Sequence, residues 1–201
     1  KKTFLLSMSS TDESFAAYVI NAFPKSKYIS NVFKNQTEWV LKTIDYFKSK
    51  KDYGLIIRIH PREFKNKRET QISPSYLKLL KILGQINYDN IYINNPTDEI
   101  SIYNLFEIVD VTLVSWSLTA IESLLQNVPV IVYDNKLTNY PDELVISGST
   151  KKEYINNLNE FTTKKSYKNH NNYSFKWLQV NHFGNNVYLK NRKLFKYYIL
   201  L

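Results

Sequence analysis

Short apolar runs alternate with amphipathic stretches along most of this chain. Residues 3–8 read TFLLSM and end in the polar cluster Ser9, Ser10, Thr11, Asp12 and Glu13. From Gln36 to Phe47, the residues Trp39, Val40, Ile44 and Phe47 recur at helical spacing and predict an amphipathic helix. Gly54 opens a β-branched run, 55–59, that stops at His60-Pro61, because proline cannot continue a central strand. Ser73-Pro74 starts a second helix through Tyr76, Leu77, Leu79, Leu80 and Leu83, with proline in the favoured first turn. Residues 91–93 form a short strand broken at Asn95-Pro96.

The clearest unit follows. Residues 101–109 predict a short amphipathic helix and 110–114 a strand. Residues 115–119 open a helix through Ala120, Ile121, Leu124 and Leu125; Asn127 ends it, and 128–133 form the next strand. Apolar strands separated by helices of this length imply βαβ units, hence an α/β fold with a Rossmann-like, mostly parallel sheet and helices on both faces. The expected neighbouring parallel strands are 3–9, 53–59, 90–94, 110–114 and 128–133. Beyond Tyr140-Pro141 the pattern weakens: 151–161 read as helix, 162–174 as polar loop, and 175–201 as one or two basic, aromatic-rich helices. The expected organisation is a Rossmann-like domain over 1–174 with a C-terminal helical extension over 175–201.

Composition narrows the classes. The 201 residues are 43% hydrophobic and 22% charged, with no cysteine, which excludes disulfide scaffolds and thiolate metal sites. No stretch approaches the ~20 apolar residues of a membrane span. With no thiols and no basic-then-apolar leader, the expected compartment is the cytoplasm. The net charge of +9 suits an anionic partner as well as it suits a lysine-rich solvated surface. The chain starts at Lys1 inside an apolar run, which points to a piece of a longer protein.

In an open parallel sheet, ligands bind outside the carboxyl ends of the strands. That rule selects Ser9, Ser10, Asp12 and Glu13 after the first strand, His60 and Arg62 after the second, and Ser115, Ser117 and Thr119 after the fourth. A histidine at a strand end can donate to a phosphate oxygen or simply serve structure, and Arg62 can join it or face solvent. Hydroxyls at a helix start can hold an anion or cap the helix, Thr119 with Glu122 fitting a capping box. Glu122, one turn in, can instead grip a ribose diol. Three scattered histidines and no Asp-x-Asp leave no evident metal cluster.

The order IIRIHPRE, about thirty residues, then NIYINNPTDEISIYNLFEIVDVTLVSWSLTAIESLLQNVPVIVYDN resembles the C-terminal, donor-binding domain of GT-B glycosyltransferases. It is most similar to bacterial surface-polysaccharide enzymes of the His-Pro type: Kdo transferases of capsule synthesis, sialyltransferases, and teichoic-acid glycerophosphotransferases. The likeness covers roughly residues 53–135. It implies that His60, Ser115 and Ser117 hold the phosphate of a nucleotide-sugar donor, CMP-linked before UDP-linked, without metal or other cofactor. It also implies an acceptor that is a glycan or lipid-linked, and a catalytic base on an acceptor domain upstream. Asn127 and Val128 stand where the family often has glycine before Pro129, and asparagine tolerates the left-handed backbone of such a position.

The same outline resembles UDP-GlcNAc 2-epimerases, which carry a Gly-rich turn where this chain has Ser115-Trp116-Ser117. The basic, aromatic stretch 188–198 mixes cations and rings as a nucleic-acid surface does, but no nucleic-acid motif accompanies it, so no nucleic-acid partner is expected. A non-catalytic Rossmann-like module is a further alternative. Lys176, Lys190, Arg192, Lys193 and Lys196 offer peripheral affinity for an anionic inner membrane face, or belong to a packed terminal helix.

Overall fold

A computed structural model describes residues 1–22, 30–65, 70–137, 140–163 and 171–180. Six strands form one sheet: β1 (Lys2–Ser7), β2 (Tyr53–Arg58), β3 (Ile91–Asn94), β4 (Val111–Val114), β5 (Val130–Val132) and β6 (Ile146–Ser147). Their order is β3-β2-β1-β4-β5-β6, and every neighbouring pair is parallel. The five expected strands are there as parallel neighbours, and β6 is a two-residue addition at the edge. The fold is therefore an α/β Rossmann-like sheet, and its order reverses between β1 and β4.

Side-chain alternation along the strands assigns the helices to faces. Phe4, Leu6, Leu55, Ile57, Leu113 and Ile131 point to one side. There they meet α2 (Gln36–Phe47), α3 (Pro74–Leu83) and α6 (Lys151–Thr163). Leu5 and Ile56 point to the other side, against Leu105 and Phe106 of α4 (Ile102–Phe106). Val114, Val130 and Val132 share that second side with Ala120, Ile121 and Leu124 of α5 (Thr119–Leu125). Much of the aromatic content is core: Phe4, Trp39, Phe47, Tyr133, Tyr154 and Phe161 are all buried.

Two elements differ from expectation. A helix, α1 (Thr11–Val19), follows β1 directly, capped by Ser10 through a bond from the Glu13 N–H. Its apolar side chains are largely unburied, Phe15, Val19 and Ile20 being exposed, so no periodic buried stripe announced it. The last helix, α7 (Asn171–Leu178), begins inside the stretch expected as loop and crosses the expected boundary at 174/175. The extension beyond residue 180, with Lys190, Arg192, Lys193 and Lys196, lies outside the described residues. No helix among the described residues is long and apolar enough to cross a membrane.

Asn127 has φ 61, the left-handed turn anticipated for it between α5 and β5. Ser123 reinforces this turn, its hydroxyl donating to the Val128 carbonyl at 3.0 Å while Thr112 of β4 donates to Ser123 at 2.7 Å. On the opposite face Thr43 donates to the Trp39 carbonyl. Its oxygen therefore accepts from Tyr154 at 2.9 Å, and Tyr154 accepts from Trp39 Nε1 at 2.9 Å. All three residues are fully buried. Tyr154→Phe would leave the indole N–H without an acceptor, so we expect a loss of about 1–3 kcal/mol in a urea unfolding titration.

Candidate functional site

Parallel pairing brings the carboxyl ends of β1, β2 and β4 to one edge, and β1 lies between the other two. The segments leaving these strands are tied to one another before any ligand is considered. Ser9 donates to the Trp116 carbonyl at 2.7 Å. With its hydrogen so committed, Ser9 accepts from Ser115 across 2.8 Å. Both serines are buried. On the β2 side, the turn Pro61–Glu63 clamps onto α1: Glu63 Oε1 accepts from the Thr11 N–H at 2.8 Å, and Arg62 Nη1 pairs with Glu13 Oε1.

These three loops surround a cavity of about 500 Å³, within the size range of small-molecule sites. Ser9, Ser10, Glu13, His60, Ser117, Thr119 and Glu122 form its polar wall. Trp116, Leu118, Leu137, Tyr140 and Trp177 form an apolar one. Of the expected site residues, Ser9, Ser10, His60, Ser117, Thr119 and Glu122 thus share one cavity. Ser115 stands behind it, under Ser9, and Arg62 reaches it through Glu13.

His60 is half-buried, and its Nδ1 accepts the Arg62 N–H at 3.2 Å. An accepting Nδ1 carries no proton, so the neutral ring holds its hydrogen on Nε2. Burial pushes the imidazole below its usual pKa, against the opposing pull of Glu13 and Glu63. Ser117 donates to Thr119 Oγ1 at 3.0 Å and accepts from the Thr119 N–H at 3.2 Å. The capping box expected from Thr119 and Glu122 is absent: Leu118 occupies the N-cap position without a side-chain bond, and Ser117 takes the first N–H. Glu122 instead accepts from the Tyr103 hydroxyl at 3.1 Å.

The cavity's charge is unusual for an anion site. Among the described lining residues the charged side chains are two carboxylates, Glu13 and Glu122, with no lysine or arginine. The lining side chains that carry donors are the hydroxyl residues, His60 through Nε2–H, and the indoles of Trp116 and Trp177. The apolar wall was not foreseen. Leu137 and Tyr140 follow β5 on the same carboxyl edge, a position the strand-end rule would have reached if extended to the fifth strand. Trp177 comes from α7, where nothing local signalled it.

No family model and no curated protein matches the chain in sequence. Among solved structures, a Listeria monocytogenes protein provisionally described as a UDP-N-acetylglucosamine 2-epimerase superposes with a TM-score of 0.52 at 14% identity, over 87% of this chain and 39% of its own. What is shared is the fold. This chain is a Rossmann-like parallel sheet with helices on both faces. Looser overlaps are with the Methanocaldococcus jannaschii UDP-GlcNAc 2-epimerase solved with UDP-GlcNAc and UDP (TM-score 0.49, 18% identity, 89% of this chain and 45% of that one) and with a glycosyltransferase of kitacinnamycin (0.47, 12%, 90% and 40%). The chain spans less than half the length of each.

Two measurements test the geometry. Tyr140 is only 8% exposed, and its hydroxyl has no hydrogen-bond partner among the described residues. Tyr140→Phe removes an unsatisfied group and should raise the stability of the ligand-free protein by about 1 kcal/mol in a denaturant titration. Because the folded protein disfavours protonated His60, the unfolded chain binds more protons below pH ~6.5. Stability should therefore fall as pH drops from about 7 towards 5, and thermal melts of His60→Asn should show a shallower fall, since the amide keeps the acceptor for Arg62 but does not titrate.

Proposed function

We propose that this chain is the donor-binding lobe of a glycosyltransferase and holds a nucleotide-activated sugar by its phosphate. The observation that supports this best is the convergence of His60, Ser10, Ser117 and Thr119, from the ends of three parallel strands, on one nucleotide-sized cavity. In this reading the phosphate oxygens accept from His60 Nε2–H and from the Ser117–Thr119 turn. Ser9 and Ser115 act beneath them by fixing the β1 and β4 loops. Glu122 accepts from the ribose hydroxyls, and the wall of Trp116, Tyr140 and Trp177 receives the flat base.

The chemistry follows from where charge develops. When the sugar leaves, negative charge accumulates on the departing phosphate, and donors already aimed at it stabilise that state more than the ground state. The imidazole starts neutral. An anionic phosphate favours its protonation, so His60 is suited to strengthen its bond as the departing phosphate goes from one negative charge to two. The acceptor, a glycan or lipid-linked species, and the catalytic base fall to an acceptor domain preceding this lobe, so the chain alone binds donor without efficient turnover. The basic segment 175–201 would hold such an enzyme near the inner face of the membrane.

A second reading, a lobe of a UDP-GlcNAc 2-epimerase, is favoured by the likeness in fold to the Listeria protein. The two readings part over the base: the sequence resemblance favours cytidine, and the epimerase reading requires uridine. In a thermal-shift panel of CMP, CDP, UDP and GDP, a cytidine preference rules out the epimerase reading, whereas a uridine preference fits both. A ligand at 100 times its dissociation constant should stabilise by about 2.7 kcal/mol. We expect His60→Ala to weaken the best binder by about 1.5–3 kcal/mol, the scale of a hydrogen bond to a charged group. A panel in which no nucleotide shifts the melt, or a His60→Ala protein that binds as tightly as wild type by calorimetry, would overturn the assignment.

A further inference from the structure

An anion site whose described wall carries two carboxylates and no cation needs an explanation. One cation is tied to that wall directly: Arg62, whose Nη1 donates to Glu13 Oε1. Glu13 lines the cavity and Arg62 does not. The guanidinium therefore meets the cavity through a carboxylate of the chain itself. We infer that Glu13 is a built-in competitor for Arg62, a resident carboxylate that occupies the guanidinium until the ligand's phosphate displaces it. The inference rests on the phosphate-binding reading above and adds to it a switch of partners.

Three observations support the exchange. The pair is solvent-exposed, its side chains being 35% and 46% accessible. Exposed ion pairs of this kind contribute little to stability, so parting them costs little. A phosphate offers the guanidinium an anion with at least two acceptor oxygens, and arginine engages such groups with two parallel bonds. Finally, the backbone around Arg62 is held whichever partner the side chain takes. Its N–H donates to His60 Nδ1, and the next residue, Glu63, is buried and bonded to the Thr11 N–H. The guanidinium can swing while the turn that carries it stays in place. Glu13, on the first turn of α1, likewise keeps its N–H on Ser10.

The competition fixes the sign of a mutation that would otherwise be ambiguous. If Glu13 merely positioned Arg62 for the ligand, neutralising it would weaken binding. If it competes, neutralising it frees the guanidinium and removes a like charge from the cavity, and binding tightens. The experiment is calorimetry with UDP and with CMP on the full chain, comparing wild type, Glu13→Gln, Arg62→Gln and the double variant, with circular dichroism to confirm folding. Glutamine keeps the length and helix propensity of glutamate at an exposed position.

We expect Glu13→Gln to bind the nucleotide roughly three- to tenfold more tightly, the range for relieving one partly solvated like charge. The same substitution should gain clearly less when Arg62 is already glutamine, because there is then no guanidinium to release. Unchanged or weaker binding by Glu13→Gln overturns the inference. So does an equal gain in both backgrounds, which would make Glu13 a simple repulsive charge. If neither wild type nor Glu13→Gln binds any nucleotide, the phosphate-site reading itself falls. If wild type binds and Glu13→Gln matches it, only the competition falls.

Discussion

Two serine hydroxyls set the geometry on which the rest of the site depends. Ser115 donates to Ser9, and Ser9 donates to the Trp116 carbonyl, joining the loops that leave β1 and β4. These are the two strands between which the sheet reverses its order. At such a point the chain after one strand and the chain after the other turn towards opposite faces, and a crevice opens between them. Here the chain after β4 runs into α5 on one face, while the chain after β1 continues through α1 to α2 on the other. The serine pair ties the two lips of that crevice directly to one another. With it, the residues flanking each serine, Ser10 on one side and Trp116 with Ser117 on the other, are presented to a common space.

The third lip, from β2, is attached by a different device. The tetrapeptide His60-Pro61-Arg62-Glu63 turns back on itself, with the imidazole capping its own turn, and grips α1 through Glu63 and Arg62. Each of its polar residues has a partner among the described residues, although Glu63 Oε2 is buried without one, and His60, with its hydrogen on Nε2, lines the cavity. A sequence reader sees four residues rich in chemistry. The fold assigns most of that chemistry to holding the loop, and leaves one donor for the cavity.

How far the fold could be read in advance follows from how each element is buried. Strands β1, β2, β4 and β5 are covered on both faces, so they appear in the sequence as continuous apolar runs. β6 has two residues, both half-buried, and gives no such run. Helix α2 buries Trp39, Val40, Ile44 and Phe47 along one stripe and was legible for that reason. Helix α1 exposes Phe15, Val19 and Ile20 and was not. The polar half of the cavity was legible because strand ends converge by topology alone. The apolar half was not, because Trp177 arrives from a helix some forty residues beyond the last central strand, and no local pattern says where a terminal helix will pack. The roles within the polar half also exceeded the sequence: that Ser115 faces Ser9, and that Ser117 displaces Thr119 as the cap, are facts of loop geometry.

The empty cavity carries several arrangements that folding alone does not favour. The Tyr140 hydroxyl is buried without a partner among the described residues, and burial raises its pKa, so it remains a protonated donor. His60 is held neutral in a place where its Nε2–H meets open space. Glu13 and Glu122 bring two carboxylates to one wall. Each arrangement is unfavourable or neutral in the ligand-free protein, and a chain selected for stability alone would have replaced them with apolar or paired groups at little structural cost. Their gathering around a single cavity is the pattern expected where local stability has been exchanged for binding, although a second buried orphan among the described residues, Glu63 Oε2, lies outside its lining. A nucleotide phosphate would give His60 an acceptor and Arg62 an alternative to Glu13, a ribose would give Glu122 donors beyond Tyr103, and an aromatic base would fill the wall at Tyr140. One ligand of that composition resolves these tensions together, whereas a purely structural role for His60 would account for its bond to Arg62 and leave the rest unexplained.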